Sequence, residues 1–380
     1  MAYGGQLKFP ASYMRGGTSK GLFILTTDFP VDVYKDTAER DRILMQVMGR
    51  GSSQIDGVGG ANSLTSKVAF VSKNLSTDRP DVDVDYYFAQ VSFGDKPGEN
   101  GVSTRQSCGN MLLAVGPFGI EHGLVGKVND GTTTVRVFSA NGRGVYDLEV
   151  QTPGGEVNYT GDFQAHGVPE TGSKIKSTTV RDVEGSICGR LFPTGFYINK
   201  LDGVPVTMID VGMPVALVDA YEMGLTGREN VKDLNANEGL KERIEAMRLQ
   251  AGHLMNLEDI ASDNIPKMIL VSRPREKDYL IHTQTFNAFH PVTAHKNIGV
   301  AMGHCVLAAS YFEGTVAYEH AHRPSGPLMV GIEKAFKIGH PTGFTSVGAI
   351  PTGDSSKPFQ YVSESTARII WEGNLFFKPR

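Results

Sequence analysis

A chain of 380 residues is long enough for two domains with separate cores, and 40% hydrophobic against 21% charged residues is an ordinary globular balance. A net charge of −4 and a pI near 6.2, with no long basic run, exclude nucleic acid and anionic membrane as expected partners. The opening Met-Ala-Tyr-Gly-Gly-Gln-Leu-Lys has no apolar signal region, no stretch is long enough to span a bilayer, and Cys108, Cys188 and Cys305 form no C-x-x-C pair, so a reduced, cytoplasmic protein is expected.

Gly 45 and Pro 19 imply many tight turns, hence many short strands. Residues 11–14 alternate like a strand, 15–21 (Arg-Gly-Gly-Thr-Ser-Lys-Gly) form a glycine-rich turn, and 22–25 resume a strand. Two adjacent glycines let the backbone approach a ligand, but the spacing of a phosphate loop is absent, which excludes nucleotide binding there. Residues 37–49 read as a helix with Ile43, Leu44, Val47 and Met48 on one face. A second glycine-rich loop, 56–67, runs into a strand at 68–72, and 83–93 is another strand.

Residues 105–110, Arg-Gln-Ser-Cys-Gly-Asn, then lead into an apolar run at 111–120. This predicts a helix capped by Ser107, with Cys108, Gly109 and Asn110 in its first turn. Backbone N–H groups and the positive dipole end there bind a carboxylate, and the same field favours a thiolate. Cys108 is therefore a reactive group beside an anion site or, alternatively, a small buried residue opening a core helix. Strands at 133–139 and 144–151 flank a hairpin turn, and 155–162 add one more.

The pattern then recurs. Residues 263–267 lead into a strand at 268–272 as Thr65-Ser-Lys67 leads into 68–72, with Lys67 and Lys267 200 positions apart. Residues 277–286 echo 83–93, 293–307 echo the Cys108 helix, and 328–337 supply strands after it. Between the halves lie a strand at 204–210, the segment Gly-Met-Pro-Val-Ala-Leu-Val (212–218) and a helix at 240–249 ended by Gly252. The repeat predicts two similar domains related by a pseudo-twofold, 1–186 and 187–380, with the last strand, 366–377, free to return to the first.

Two such halves would aim two helix starts into one cleft, suiting a ligand with several carboxylates. Lys67 and Cys108 offer two groups that take and give protons; a lysine base must be neutral, and partial burial beside positive helix ends favours that form. Lys67 reads equally as a strand-edge lysine that blocks aggregation. His290, His295 and His304 gather near the second helix without an H-x-x-x-H pair, so no metal is expected. His295 reads as a carboxylate donor, a second proton carrier or a helix cap, and Arg15 as a carboxylate clamp or a surface ion-pair residue.

The strings Tyr-Met-Arg-Gly-Gly-Thr-Ser-Lys-Gly (13–21), Asp-Gly-Val-Gly-Gly (56–60), Thr-Ser-Lys (65–67), Asp-Tyr-Tyr-Phe-Ala-Gln (85–90), Cys-Gly-Asn (108–110) and Val-Gly-Pro-Phe-Gly-Ile (115–120) resemble the methylaconitate isomerase family, which includes 4-oxalomesaconate tautomerases. Phe-Pro-Thr-Gly (192–195), Gly-Met-Pro (212–214), Leu-Thr-Gly (225–227), Glu-Ala-Met-Arg-Leu (245–249) and Pro-Lys (266–267) extend the resemblance over nearly the whole chain. It implies an α+β, diaminopimelate-epimerase-like fold: two pseudo-equivalent domains, each a curled antiparallel sheet around a central helix, with the active site between them. It also implies a cofactor-independent 1,3-allylic proton shift in an unsaturated di- or tricarboxylate such as 4-oxalomesaconate, 2-methylaconitate or aconitate.

On this resemblance Lys67 is the base and Cys108 lies in the same pocket. Arg15, Gly16, Gly17, Thr18, Ser19, Asn62, Ser63, Ser66, Gly109, Asn110, His295, Asn297 and Gly299 are the expected carboxylate-binding residues. Epimerases of this fold oppose two cysteines, whereas the second helix here is preceded by Ala-His-Lys-Asn (294–297), with Cys305 well inside it. An epimerase or racemase of a small carboxylic acid, and a non-catalytic carboxylate-binding accessory protein, are the alternatives. A small polycarboxylate is the expected partner, and a homodimer is compatible with all three readings.

Overall fold

A helix with no polar face has to be buried on every side, and the strands of the first unit are arranged around one. The computed structural model describes residues 4–95, 100–258, 260–287, 292–355 and 357–380. In chain order the elements are β1 (Leu7–Gly16), β2 (Ser19–Leu25), α1 (Thr37–Met48), β3 (Lys67–Lys73), β4 (Val84–Val91), β5 (Val102–Ser103), α2 (Gly109–Glu121), β6 (Gly131–Ser139) and β7 (Val145–Thr152). They continue with β8 (Ile175–Arg181), β9 (Asn199–Leu201), β10 (Val204–Asp210), β11 (Pro214–Asp219), α3 (Val231–Ala236), α4 (Glu238–Leu254), β12 (Lys267–Ser272), β13 (Tyr279–Asn287) and β14 (Thr293–Ala294). Last come α5 (Val300–Ala309), α6 (Val316–His320), β15 (Lys334–His340), β16 (Gly343–Pro351), β17 (Phe359–Ser365) and β18 (Ala367–Phe377).

One compact unit holds the chain up to Asn141, Val145–Ser177 and Glu364–Arg380; the other holds Gly142–Gly144 and Thr178–Ser363. Residues 178–186 thus lie in the second unit, on the other side of the expected 186/187 division, and the last strand, left free to return by the sequence, lies in the first. In the first unit β1 pairs antiparallel with β2 and with β18, β2 runs parallel to β3, and β3 is antiparallel to β4. Strand β4 then takes β5 antiparallel and β6 parallel, and β6 pairs antiparallel with β7.

Both faces of this sheet are apolar, so side chains alternate between two cores. Phe23, Ala69, Val71, Tyr86 and Phe88 join the cluster around α2, while Leu22, Ile24, Val68, Phe70 and Ala89 join the one around α1. Helix α2 is buried without a break from Met111 to Gly119 and packs on β1, β2, β3, β4, β6, β7 and β18.

In the second unit β10 is antiparallel to β11, β11 parallel to β12, and β12 antiparallel to β13. Strand β13 takes β14 antiparallel and β15 parallel, and β15 is antiparallel to β16. Each pairing from β1 to β7 thus recurs, with the same sense, from β10 to β16. Helix α5 follows β14 as α2 follows β5, and it too is buried from Gly303 to Ala309.

Three local expectations fail. Residues 155–162 form no strand, because Pro153–Gly155 is a short helical turn with Gly154 and Gly155 at φ of 67° and 82°. Residues 328–333 precede the strand, which begins at Lys334. Gly252 lies inside α4 and does not end it; a Cβ there would meet Ile260 Cγ2 at 2.6 Å, so glycine serves close packing. No helix among the described residues is long and apolar enough to cross a membrane.

His304, on α5, is buried, with its ring 5.2 Å from that of Tyr361 and Nε2 3.4 Å from the Val362 carbonyl oxygen. Burial pushes its pKa down to about 4. The folded value lies below the ordinary 6.5, so the stabilisation is complete above that pH and is lost as pH falls toward 4. In urea denaturation, the wild type should lose about 3 kcal/mol more than His304→Gln on going from pH 7 to pH 4. Equal losses would show that His304 titrates normally in the folded chain.

Candidate active site

Strand register places four residues in one rung at the end of the first unit's sheet: Gly21 opposite Lys67, Lys67 opposite Gln90, and Gln90 opposite Ser103. Alternation puts the Lys67 side chain on the α2 face, with Ala69 and Phe88. Lys67 is 7% exposed; its Nζ donates to Gln90 Oε1 at 2.7 Å and lies 5.0 Å from the centre of the Phe88 ring. An ammonium carries three donors, so the Gln90 bond leaves two. Gly21 permits the arrangement, because a Cβ there would overlap the Lys67 carbonyl.

The start of α2 lies on the same face. Tyr86 hydroxyl donates to the Cys108 carbonyl at 3.3 Å. Ser107 does not cap the helix: its Oγ pairs with Ser139 Oγ at 2.8 Å, and Cys108, half-buried, occupies the cap position without a side-chain bond. Helical backbone therefore begins at Gly109, and the Cys108 side chain makes no bond to the N–H groups of the first turn. The β1–β2 hairpin presses onto that turn. A Cβ on Gly16 would overlap the Asn110 carbonyl and one on Gly17, at φ 50°, the Asn110 amide, while Asn110 Nδ2 donates to Thr18 Oγ1 at 3.1 Å. Ser19 is 2% exposed, yet its hydroxyl has no hydrogen-bond partner among the described residues; nor has that of Ser103. Buried polar groups are seldom left so.

The other expected binders of the first unit make the following contacts. The Arg15 guanidinium donates to the carbonyls of Gly17 and Thr366 at 3.0 and 2.9 Å and to Thr366 Oγ1 at 2.9 Å, bracing the hairpin against the residue before β18. Asn62 is exposed and closes its own turn, accepting from Leu64 N and donating to Gly60 O. Ser63 is half-buried. Ser66 is fully buried, and its hydroxyl donates to Gln54 Oε1 at 2.5 Å. Gln54 also accepts from Ala61 N at 2.8 Å, tying down the second glycine-rich loop. Gln54 lies in none of the strings that carry the resemblance, and Gln90 closes one of them, 85–90, without a role; the register of β3 on β4 is what sets it against Lys67.

In the second unit, α5 begins at Val300 with Gly299 as its cap, so His295 lies in the loop before the helix, not at its start. His295 Nδ1 accepts from Asn297 N at 3.3 Å. His290 lies outside the described residues, and His304 belongs to the core. Cys305 is also core: its thiol donates to the Met213 carbonyl at 3.2 Å and burial pushes its pKa up. Lys267 opens β12 as Lys67 opens β3, and its Nζ donates to Asn287 Oδ1 at 3.3 Å. Among the described residues no three His, Cys, Asp or Glu side chains converge as a metal site would.

The chain matches the PrpF protein family over residues 6–378. It is 43% identical over 368 residues to a (4E)-oxalomesaconate Delta-isomerase of Novosphingobium sp. (strain KA1), covering 97% of each chain. It is 42% identical over 370 residues to a 4-oxalomesaconate tautomerase of Pseudomonas putida, covering 97% of this chain and 96% of that one. With a 2-methyl-aconitate isomerase of Shewanella oneidensis it shares 31% over 405 residues, at 97% and 96% coverage. Among solved structures, a methylitaconate-delta-isomerase superposes with a TM-score of 0.77 at 28% identity, covering 98% of this chain and 96% of that one. A hydroxyproline epimerase of Agrobacterium vitis, at 13% identity and a TM-score of 0.57 over 100% of this chain and 95% of that one, shares the fold alone.

The hairpin contact is open to a two-variant test. Gly17→Ala adds backbone strain at φ 50° and drives a methyl into Asn110, whereas Gly123→Ala, at φ 66°, adds the strain with nothing within 4 Å. Both should lose about 1 kcal/mol or more of stability, but only Gly17→Ala should lose about tenfold or more in kcat/KM. Equal kcat/KM in the two would detach the hairpin from the site.

Proposed function

The chain belongs to the PrpF family and is an isomerase, and we propose that it moves a carbon–carbon double bond by a 1,3-proton shift in an unsaturated tricarboxylate of the oxalomesaconate type, with Lys67 as the base. The observation that carries this reading is the buried Lys67 amine, on the α2 face and hydrogen-bonded to a neutral amide. Identity favours the oxalomesaconate class, since the two relatives so named stand at 43% and 42% and the 2-methyl-aconitate isomerase at 31%.

The neutral amine takes a proton from the allylic carbon. The C–H electron pair moves into the adjoining conjugated system and gives a dienolate whose negative charge rests on the carbonyl or carboxylate oxygen. The ammonium, or a second donor such as Cys108, returns a proton to the far carbon, and the double bond ends one position along. The N–H groups opening α2 and the Ser19 hydroxyl are suited to hold the oxygen that gains charge, each such donor being worth about 3 kcal/mol of barrier. Thr18, Gly109 and Asn110 shape that end of the site.

We read the two units as copies of one diaminopimelate-epimerase-like scaffold, a reading supported by the recurrence of strand pairing and by Lys67–Gln90 against Lys267–Asn287. A symmetric two-thiol racemase is disfavoured by Cys305, whose thiol is spent on the Met213 carbonyl in the core. His295, Asn297 and Gly299 remain the proposed contribution of the second unit to substrate. All three cysteines are free thiols, which suits the cytoplasm, where we place the protein.

Proton NMR in D₂O of 4-oxalomesaconate with wild type and Lys67→Ala is the test. The wild type should exchange the allylic proton and move the double bond; Lys67→Ala should fall by about a thousandfold or more. Exchange at the wild-type rate in a folded Lys67→Ala would remove Lys67 as the base.

A further inference from the structure

We propose that Gln90 is a positioning residue that keeps the Lys67 amine free to act as a base, by giving it a buried acceptor that carries no charge and can present only its oxygen. This rests on the reading of Lys67 as the base and says how the chain maintains that role.

Register sets Gln90 opposite Lys67, and at 3% exposure its amide is shielded from water. The orientation of the amide is determined. Gln90 Nε2 donates to the Ser66 carbonyl at 2.9 Å and faces the Val91 carbonyl at 3.4 Å, so Oε1 is the end left for Lys67 Nζ at 2.7 Å. Turned over, the amide would set its NH₂ against the lysine and its oxygen against two carbonyls. The Ser66 carbonyl is itself held, accepting also from Val91 N at 3.0 Å, while the Ser66 hydroxyl is anchored on Gln54.

The absence of charge in the acceptor is the second observation. Three other buried cations are paired with carboxylates, Arg40 with Asp41 at 2.7 Å, Arg248 with Glu245 at 2.7 Å and Lys241 with Glu238 at 2.8 Å, whereas Lys267, at the matching place in the second unit, also donates to an amide, that of Asn287. Among the described residues no ion pair is formed by Lys67; its contacts are the Gln90 amide and the Phe88 ring. A carboxylate at position 90 would hold the lysine as an ammonium and withdraw the base. An amide oxygen orients the nitrogen without fixing the proton on it.

The experiment compares Gln90→Glu, Gln90→Met and Lys67→Ala with wild type, measuring kcat and KM for 4-oxalomesaconate across pH, with circular dichroism and thermal melting to establish folding. Gln90→Glu should lose about thirtyfold in kcat near neutrality with KM changed less than about threefold, and the acidic limb of its kcat profile should move up by about one pH unit or more, so that activity returns in alkali. Gln90→Met, of similar length but with no oxygen, should lose about tenfold in kcat at every pH with KM unchanged and no upward displacement of the limb. A folded Gln90→Glu with an unmoved limb overturns the proposal. If Gln90→Glu does not fold, Gln90→Met decides, and wild-type kcat in that variant overturns the proposal too. Should Lys67→Ala stay active, the base assignment falls and this inference with it. An inactive Lys67→Ala beside an unmoved Gln90→Glu limb defeats the Gln90 inference alone.

Discussion

The first unit sets one buried lysine amine against an acceptor that carries no charge, and the proposed chemistry depends on that contact. Lys67 is held by an amide oxygen and an aromatic face, both weaker partners for a cation than a carboxylate. On the proposed reaction the step that charges the amine also creates a dienolate beside it, and in a site shielded from water that pair attracts strongly.

The rest of the unit makes that placement possible. Gly21 yields the space over which Lys67 lies, and the β1–β2 hairpin packs through bare glycine backbone onto the first turn of α2. Helix α2 could be threaded among seven strands because it has no polar face between Met111 and Gly119. Arg15, which the sequence offers as a carboxylate clamp or an ion-pair residue, braces that hairpin through the Thr366 carbonyl and hydroxyl. The second unit repeats the strand pairing and the lysine–amide pair while placing its helix cysteine in the core.

What was legible in the sequence was local or periodic. The alternation of 68–72, the apolar run after Cys108, the two glycine turns and the 200-residue offset of the lysines all survive in the folded chain. What was hidden depends on residues far apart. Ser107 has the right chemistry for a helix cap, but a partner at Ser139 claims its hydroxyl. Gly252 has the usual chemistry of a helix end, yet it answers to the side chain of Ile260. Gln90 stands 23 residues from Lys67, and only the register of β3 on β4 makes them neighbours. The strands of two residues, β5 and β14, carry no periodicity to read.

The most direct measurement is a crystal structure of the chain with a slowly reacting unsaturated tricarboxylate. The account predicts Lys67 Nζ within about 3.5 Å of an allylic carbon, still bonded to Gln90, with a carboxylate oxygen on the first-turn N–H groups of α2 and the Ser19 hydroxyl. A ligand held away from Lys67, with that amine touching no carbon of the substrate, would contradict it.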